Sequence, residues 1–149
     1  MQRTLVLIKP DAVQRSLSGK IISRLENKGL KLVGIKLIHV DEILASKHYG
    51  EHIGKPFYNS LVEFITSSPV IALAVEGDNS VQVVRNLMGA TNPVDSLPGT
   101  IRGDYGLTIG MNLIHGSDSE DSANRELAIF FNDSELINYD RQIDDWIKE

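Results

Sequence analysis

Thr4-Leu5-Val6-Leu7-Ile8-Lys9-Pro10-Asp11 is the stretch from which the rest of the chain can be ordered. Its apolar run is short, rich in branched side chains and stopped by Lys9-Pro10-Asp11, so residues 4–8 read as a short buried strand. Ser18 is expected to cap a helix over 19–28, with Ile21, Ile22 and Leu25 on one face and Gly29 as its stop. Residues 31–40 are rich in branched apolar side chains and predict a second strand. A short helix near 41–49 follows. Pro56 then opens another, with Phe57, Leu61, Phe64 and Ile65 at helical spacing until Ser68-Pro69. Residues 70–75 read as a third strand. Gly77-Asp78-Asn79-Ser80 supplies turn and cap residues for a helix carrying Val81, Val84 and Met88.

Regular structure is expected to stop between Gly89 and Gly106, a length at which a loop is usually functional or disordered. Its glycines, prolines, Thr91 and Arg102 look individually placed, which favours the functional reading. Residues 107–115 then read as extended, a helix is expected near 119–126, and the apolar run 127–131 fits a fourth strand. This order predicts an α+β sandwich with a split βαβ plan, as one domain over residues 1–149.

The bulk properties narrow the function. The chain has 149 residues, 42% hydrophobic and 23% charged, which suits a folded domain with a real core. No apolar run approaches membrane-spanning length, and Lys9 interrupts the first one too early for a signal peptide, so the expected location is the cytoplasm. The absence of cysteine excludes disulfides, thiolate nucleophiles and thiolate metal sites. Fifteen Lys and Arg against 20 Asp and Glu give a net charge of −5. That balance argues against nucleic acid as a main partner, which wants a broad basic surface. An anionic ligand would have to be met by a few basic residues gathered locally.

Two motifs mislead. His48-Tyr49-Gly50-Glu51-His52 matches a zinc-protease pattern, but Gly50 and Gly54-Lys55-Pro56 make a poor helical scaffold for it. Gly19-Lys20 resembles half of a P-loop, yet Gln14 stands where the upstream glycine belongs and Ile21 where Ser or Thr belongs.

The most informative chemistry lies in Asn112-Leu113-Ile114-His115-Gly116-Ser117-Asp118-Ser119-Glu120. A histidine beside glycine is sterically open. Ser117 with Glu120 matches a capping box, which would start a helix within a turn of His115 and favour negative charge there. Neutral imidazole is a competent nucleophile. Taken locally, His115 reads more readily as a partly buried histidine satisfied by a backbone carbonyl. Lys9, Arg85, Thr91 and Arg102 are candidate phosphate ligands, and each alone also reads as a surface polar residue.

Several motifs in order carry a resemblance over nearly the whole chain. They are Thr4-Leu5-x-x-Ile8-Lys9-Pro10-Asp11, His48-Tyr49, Gly89-x-Thr91-Asn92-Pro93, Pro98-Gly99-Thr100-Ile101-Arg102-Gly103-Asp104 and Asn112-x-x-His115-Gly116-Ser117-Asp118, with Trp146 near the C-terminus. Together they resemble the nucleoside diphosphate kinases. The resemblance implies a ferredoxin-like fold with a four-stranded antiparallel sheet, and a ping-pong exchange. In that exchange a nucleoside triphosphate phosphorylates His115 and a nucleoside diphosphate then takes the group. It further implies that Lys9, Tyr49, Arg85, Thr91 and Arg102 bind or orient phosphates, and that Asn112 and Lys9 reach the ribose 3′-hydroxyl. Phe57 would stack on the base, Leu61 and Ile109 would line the same slot, and Glu126 and Ser117 would orient the imidazole. Mg²⁺ would arrive bridging the phosphates rather than in a protein cage. The loop bearing Pro93 and the C-terminal tail are similar to parts used for subunit contacts, which implies a homohexamer, with a tetramer as the alternative.

Two other readings compete. A phosphohistidine hydrolase would use His115 but would not regenerate a triphosphate. A non-enzymatic ferredoxin-like nucleotide-binding or regulatory module would need neither. Aromatic residues at 6% count against an RNA platform.

Overall fold

A computed structural model describes residues 1–149. At its centre lies β1 (Gln2–Ile8), where Leu5, Val6, Leu7 and Ile8 are all fully buried. Alternate strand residues face opposite sides of a sheet, so full burial of consecutive ones means that both faces are covered. Proline sits at the first position of a short helix α1 (Pro10–Gln14), where its missing N–H leaves no bond unmade. The strand-ending Lys9-Pro10-Asp11 is therefore also a helix start.

Next comes α2 (Ser18–Asn27), capped at Leu17 without a side-chain bond, so Ser18 is its first residue and not its cap. It is followed by β2 (Lys31–Ile38) and α3 (Glu42–His48), where Asp41 accepts the Leu44 N–H at 2.8 Å. The helix α4 (Tyr58–Thr66) starts just past Pro56, and β3 (Val70–Gly77) follows it. In α5 (Ser80–Met88) the expected cap is displaced. Asn79 takes a left-handed φ of 53°, and the Gln2 side chain accepts the Val81 N–H instead, at 2.9 Å.

The stretch expected to be one long loop contains a 3-10 turn at Pro93–Asp95 and a helix α6 (Ile101–Tyr105), capped by the Thr100 hydroxyl. Residues 107–115 are not uniformly extended: a 3-10 turn at Ile109–Met111 leads into β4 (Ile114–Gly116). The last helix is α7 (Glu120–Phe130), and it absorbs most of the apolar run that reads as a fourth strand. Ala123, Glu126, Leu127 and Phe130 form its buried face at helical spacing, so the run belongs to a helix stripe. The fourth strand is β4.

The sheet is antiparallel throughout, in the order β2-β3-β1-β4, which is the ferredoxin-like arrangement. One face buries Val6, Ile8, Leu73 and Val75 against α2 and α5. The other buries Leu5, Leu7, Ala72 and Ala74 against α3, α4 and α7. No helix is long and apolar enough to cross a membrane.

Candidate active site

His115 lies in β4 opposite Leu7 of β1. Directly opposed residues share a face of the sheet, and Leu7 belongs to the core beneath α3 and α7. The imidazole is thus sent towards those two helices. There Glu126 of α7 hydrogen-bonds Nε2 of His115. Glu126 is only 3% exposed, a buried carboxylate whose partner is the histidine rather than solvent. As an ionised carboxylate only accepts, Nε2 carries the hydrogen and Nδ1 the free lone pair.

A second histidine completes the surroundings. His48, in the last turn of α3, meets the His115 ring edge-on with centroids 4.8 Å apart. Burial, then the charge of His115, pushes the His48 pKa down to about 3, so this ring is neutral at any physiological pH.

Cations converge on the same cleft, an open space of about 290 Å³ lined by Lys9, Tyr49, Arg85, Thr91, Arg102 and Asn112 as well as by His115 and Glu126. Lys9 donates to the Asn112 side-chain oxygen at 2.8 Å, and the Asn112 amide donates to the Thr91 carbonyl at 2.9 Å. Burial and the neighbouring Arg102 lower the Lys9 pKa to about 8. Arg102 is 5% exposed and donates to the carbonyls of Asn112 at 3.1 Å and Ile114 at 2.7 Å. Its pKa is lowered to about 10 by burial and by Arg85, so it stays charged at neutral pH. Arg85 donates to the Gly116 carbonyl at 3.2 Å. Both arginines therefore brace the β4 backbone while placing positive charge beside the histidine. Burial also raises the Tyr49 phenol to about 12, which keeps it a neutral donor.

Several expected details fall differently. The Ser117 hydroxyl is buried and makes no hydrogen bond to the imidazole or to Glu126. The helix cap is Ser119, which accepts the Ser122 N–H at 3.1 Å, so the Ser117–Glu120 capping box is absent. The first turn of α7 carries Glu120 and Asp121. Positive charge at the cleft therefore comes from side chains more than from the helix end. Gly116 is buried, and a Cβ there would meet Met88 Sδ at 2.6 Å, so its role is close packing of α5 on β4. Phe57, Leu61 and Ile109 lie outside the cleft lining, with Phe57 one ring away through His52 at 5.2 Å between centroids. Sequence reasoning missed Arg125, Asp118 and Ser122 on the lining, because single polar residues in and just before a helix look like surface. His48 entered through the zinc-like motif and the His48-Tyr49 pair, without a role in the site.

The fold and site now have relatives to stand beside. A family model described as nucleoside diphosphate kinase matches residues 2–136. A nucleoside diphosphate kinase of Staphylococcus epidermidis is 58% identical over the full length of both chains, and one from Desulforamulus reducens is 56% identical over the same span. Among solved structures, a halophilic nucleoside diphosphate kinase from Halobacterium salinarum, in complex with CDP, superposes with a TM-score of 0.97. It shares 55% identity and is covered to 99%, as is this chain.

Proposed function

The chain belongs to the nucleoside diphosphate kinase family, and on that premise we propose that its cleft exchanges γ-phosphoryl groups between nucleotides through His115. The observation that supports this most is the pairing of His115 with a buried carboxylate inside a cation-lined cleft. With Nε2–H donated to Glu126, Nδ1 is the nucleophile. It attacks the γ-phosphorus, the P–O bond to the diphosphate breaks, and the bond electrons leave on the diphosphate oxygen. Glu126 stabilises the positive charge that the ring gains, without taking its proton. In the return half-reaction a second nucleoside diphosphate attacks the phosphohistidine and restores the free ring. A non-enzymatic nucleotide-binding module is not favoured.

Lys9, Arg85 and Arg102 offset the charge spread over the transferring oxygens, and rate comes from their prior placement. Asn112, held by Lys9 and Thr91, stands where a ribose hydroxyl can be met, and Tyr49 adds a neutral donor. We assign base contact to Phe57, Leu61 and Ile109 at the outer rim, where exposed apolar area serves any base through its π-face. Residues 1–149 act as one domain in this reading.

Mg²⁺ fits this site only as a guest of the nucleotide. A hard dication wants several oxygen ligands, but Glu126 is spent on His115. The Asp118 carboxyl, held below its usual range chiefly by the Ser122 hydroxyl, could supply an oxygen but not a cage. When bound with the nucleotide, the ion would offset part of the phosphate charge, beside Lys9, Arg85 and Arg102. We also propose a homohexamer, with a tetramer as the alternative. Val94, Leu97 and Leu107 support it, being apolar and 77%, 74% and 79% exposed around the loop. We place the enzyme in the cytoplasm, with the nucleotide pools it would exchange.

Steady-state kinetics test the reaction. Varying ATP at several fixed dTDP concentrations is expected to give parallel double-reciprocal lines, and His115→Ala to abolish turnover. Intersecting lines would contradict a covalent relay, and phosphate release without a new triphosphate would identify a hydrolase.

A further inference from the structure

His48, His115 and Glu126 come from three separate elements, yet their ligand atoms all lie within 4.8 Å of one another. The His48 Nδ1 atom is buried and makes no hydrogen bond, while it faces Glu126 Oε1 at 3.9 Å, too long for one. Its side chain is only 4% exposed. Tyr49 and Phe130 pack against its ring at centroid distances of 4.6 and 5.4 Å. A buried imidazole nitrogen without a partner, aimed at a carboxylate and a second imidazole, is a ligand set waiting for a cation.

We propose that His48, Glu126 and His115 form a binding site for a borderline divalent transition ion such as Zn²⁺, and that its occupation switches the nucleophile off. Two imidazoles and one carboxylate, with a fourth position open, is a common zinc coordination set. Ligands about 2.0–2.1 Å from a tetrahedral ion stand about 3.4 Å apart. The His48–Glu126 spacing has to close slightly and the His115–Glu126 contact to open, both within side-chain adjustment. The His115 side chain, 28% exposed, leaves the fourth position facing the cleft. Nitrogen donors select zinc over Mg²⁺, which keeps to oxygen and water. Of the zinc-like run in the sequence only His48 takes part; Glu51 and His52 do not belong to the cluster.

The switch follows from proton placement. Free His115 carries its hydrogen on Nε2 and its lone pair on Nδ1. An ion on Nε2 displaces that hydrogen to Nδ1 of the same neutral ring. No proton is released overall, and the lone pair that would attack phosphorus is gone. Conversely, a phosphoryl group on Nδ1 fixes the hydrogen on Nε2 and closes the ring to the ion. Binding rests on the geometry alone, while the inhibitory consequence rests on the phosphotransfer reading above.

The test titrates the full-length protein, free of nucleotide, with Zn²⁺ against a chromophoric chelator in millimolar Mg²⁺. Co²⁺ in its place reports geometry by visible absorption. The expected result is one Zn²⁺ per chain, intense tetrahedral cobalt bands, and at least a tenfold loss of affinity in His48→Gln but not in His39→Gln. Circular dichroism checks that both variants are folded. Protein phosphorylated beforehand with ATP is expected to bind zinc at least tenfold more weakly, and zinc-loaded protein to take up no label until a chelator is added. Unchanged affinity in folded His48→Gln, or only weak octahedral cobalt bands in the wild-type chain, would overturn the site. Protein that takes up no label even without zinc would instead overturn the phosphotransfer reading and leave the metal titration to stand by itself.

Discussion

Asp11 accepts the backbone N–H of Leu113 at 3.1 Å and so holds this bulky residue at a φ of 74°, two positions before the histidine. The Leu113 carbonyl in turn accepts the Lys9 N–H at 2.9 Å. Left-handed backbone at a non-glycine residue costs about 1–3 kcal/mol and persists only where surroundings enforce it. The first helix and the end of β1 thus set how Asn112 and His115 enter the cleft.

Asp11→Ala is expected to leave a buried N–H unpaired and to lower stability by about 1–3 kcal/mol. It should also slow phosphoenzyme formation by about tenfold or more, through misplacement of His115. Asp11→Asn keeps an acceptor oxygen and should recover most of both. Urea midpoints and single-turnover labelling measure the two effects. Equal behaviour of the Ala and Asn variants would show that this bond does not position the loop.

Glu126→Ala is expected to slow phosphorylation by about a hundredfold, because the ring loses its tautomer selection and its charge partner. Glu126→Gln can still accept from Nε2–H and should lose less, with ATP affinity little changed. Rapid-quench phosphorylation at saturating ATP separates rate from binding. A rate unaffected by Glu126→Ala would remove the carboxylate from the chemistry.

Lys9 provides a pH signature. With its pKa lowered to about 8, the free enzyme carries this charge fully well below pH 8 and loses it above. An anionic ligand favours the protonated form, so ATP binding should weaken as pH rises through about 8, by up to about tenfold per unit. Binding near pH 8 should also take up protons, which calorimetry in buffers of different ionisation enthalpy detects. A dissociation constant flat from pH 7 to 10 would contradict the role of Lys9.

His48 provides another on the acid side. Its folded pKa near 3 lies below the ordinary 6.5, so between those values the unfolded chain binds the extra proton. Stability should therefore fall as pH drops from about 6.5 towards 3, with this residue contributing a slope of at most about 1.4 kcal/mol per pH unit. Denaturant midpoints across that range should slope less in His48→Gln. Identical slopes would mean that the ring is not buried neutral.

Much of this was legible in the sequence, and the exceptions have physical reasons. Strands β1, β2 and β3 announce themselves because their apolar runs are long enough to span the sheet. Only three residues long, β4 is too short to show any alternation, and its identity depends on pairing with β1. The run ending at Phe131 reads as a strand because a short apolar stretch has no visible period; the helical one appears only when Ala123 and Glu126 are counted with it. Caps moved for a similar reason. Gln2 replaces Asn79 as the acceptor for α5, a contact between the two ends of adjoining strands that local spacing cannot reveal. Lys9, Arg85, Arg102 and His115 were legible through motif resemblance, and one cleft gathers them all. The part played by Asp11, like the gathering of His48 with Glu126, depends on contacts across most of the chain.

The most direct measurement of the central claim is a labelling relay. The purified protein is incubated with γ-labelled ATP and Mg²⁺ without acceptor, desalted, and then given unlabelled GDP. The expected result is alkali-stable, acid-labile label on the wild-type chain, mapped to His115 and absent from His115→Ala, that transfers quantitatively to GTP. Label that never attaches, or that stays on the protein when GDP is added, would contradict it.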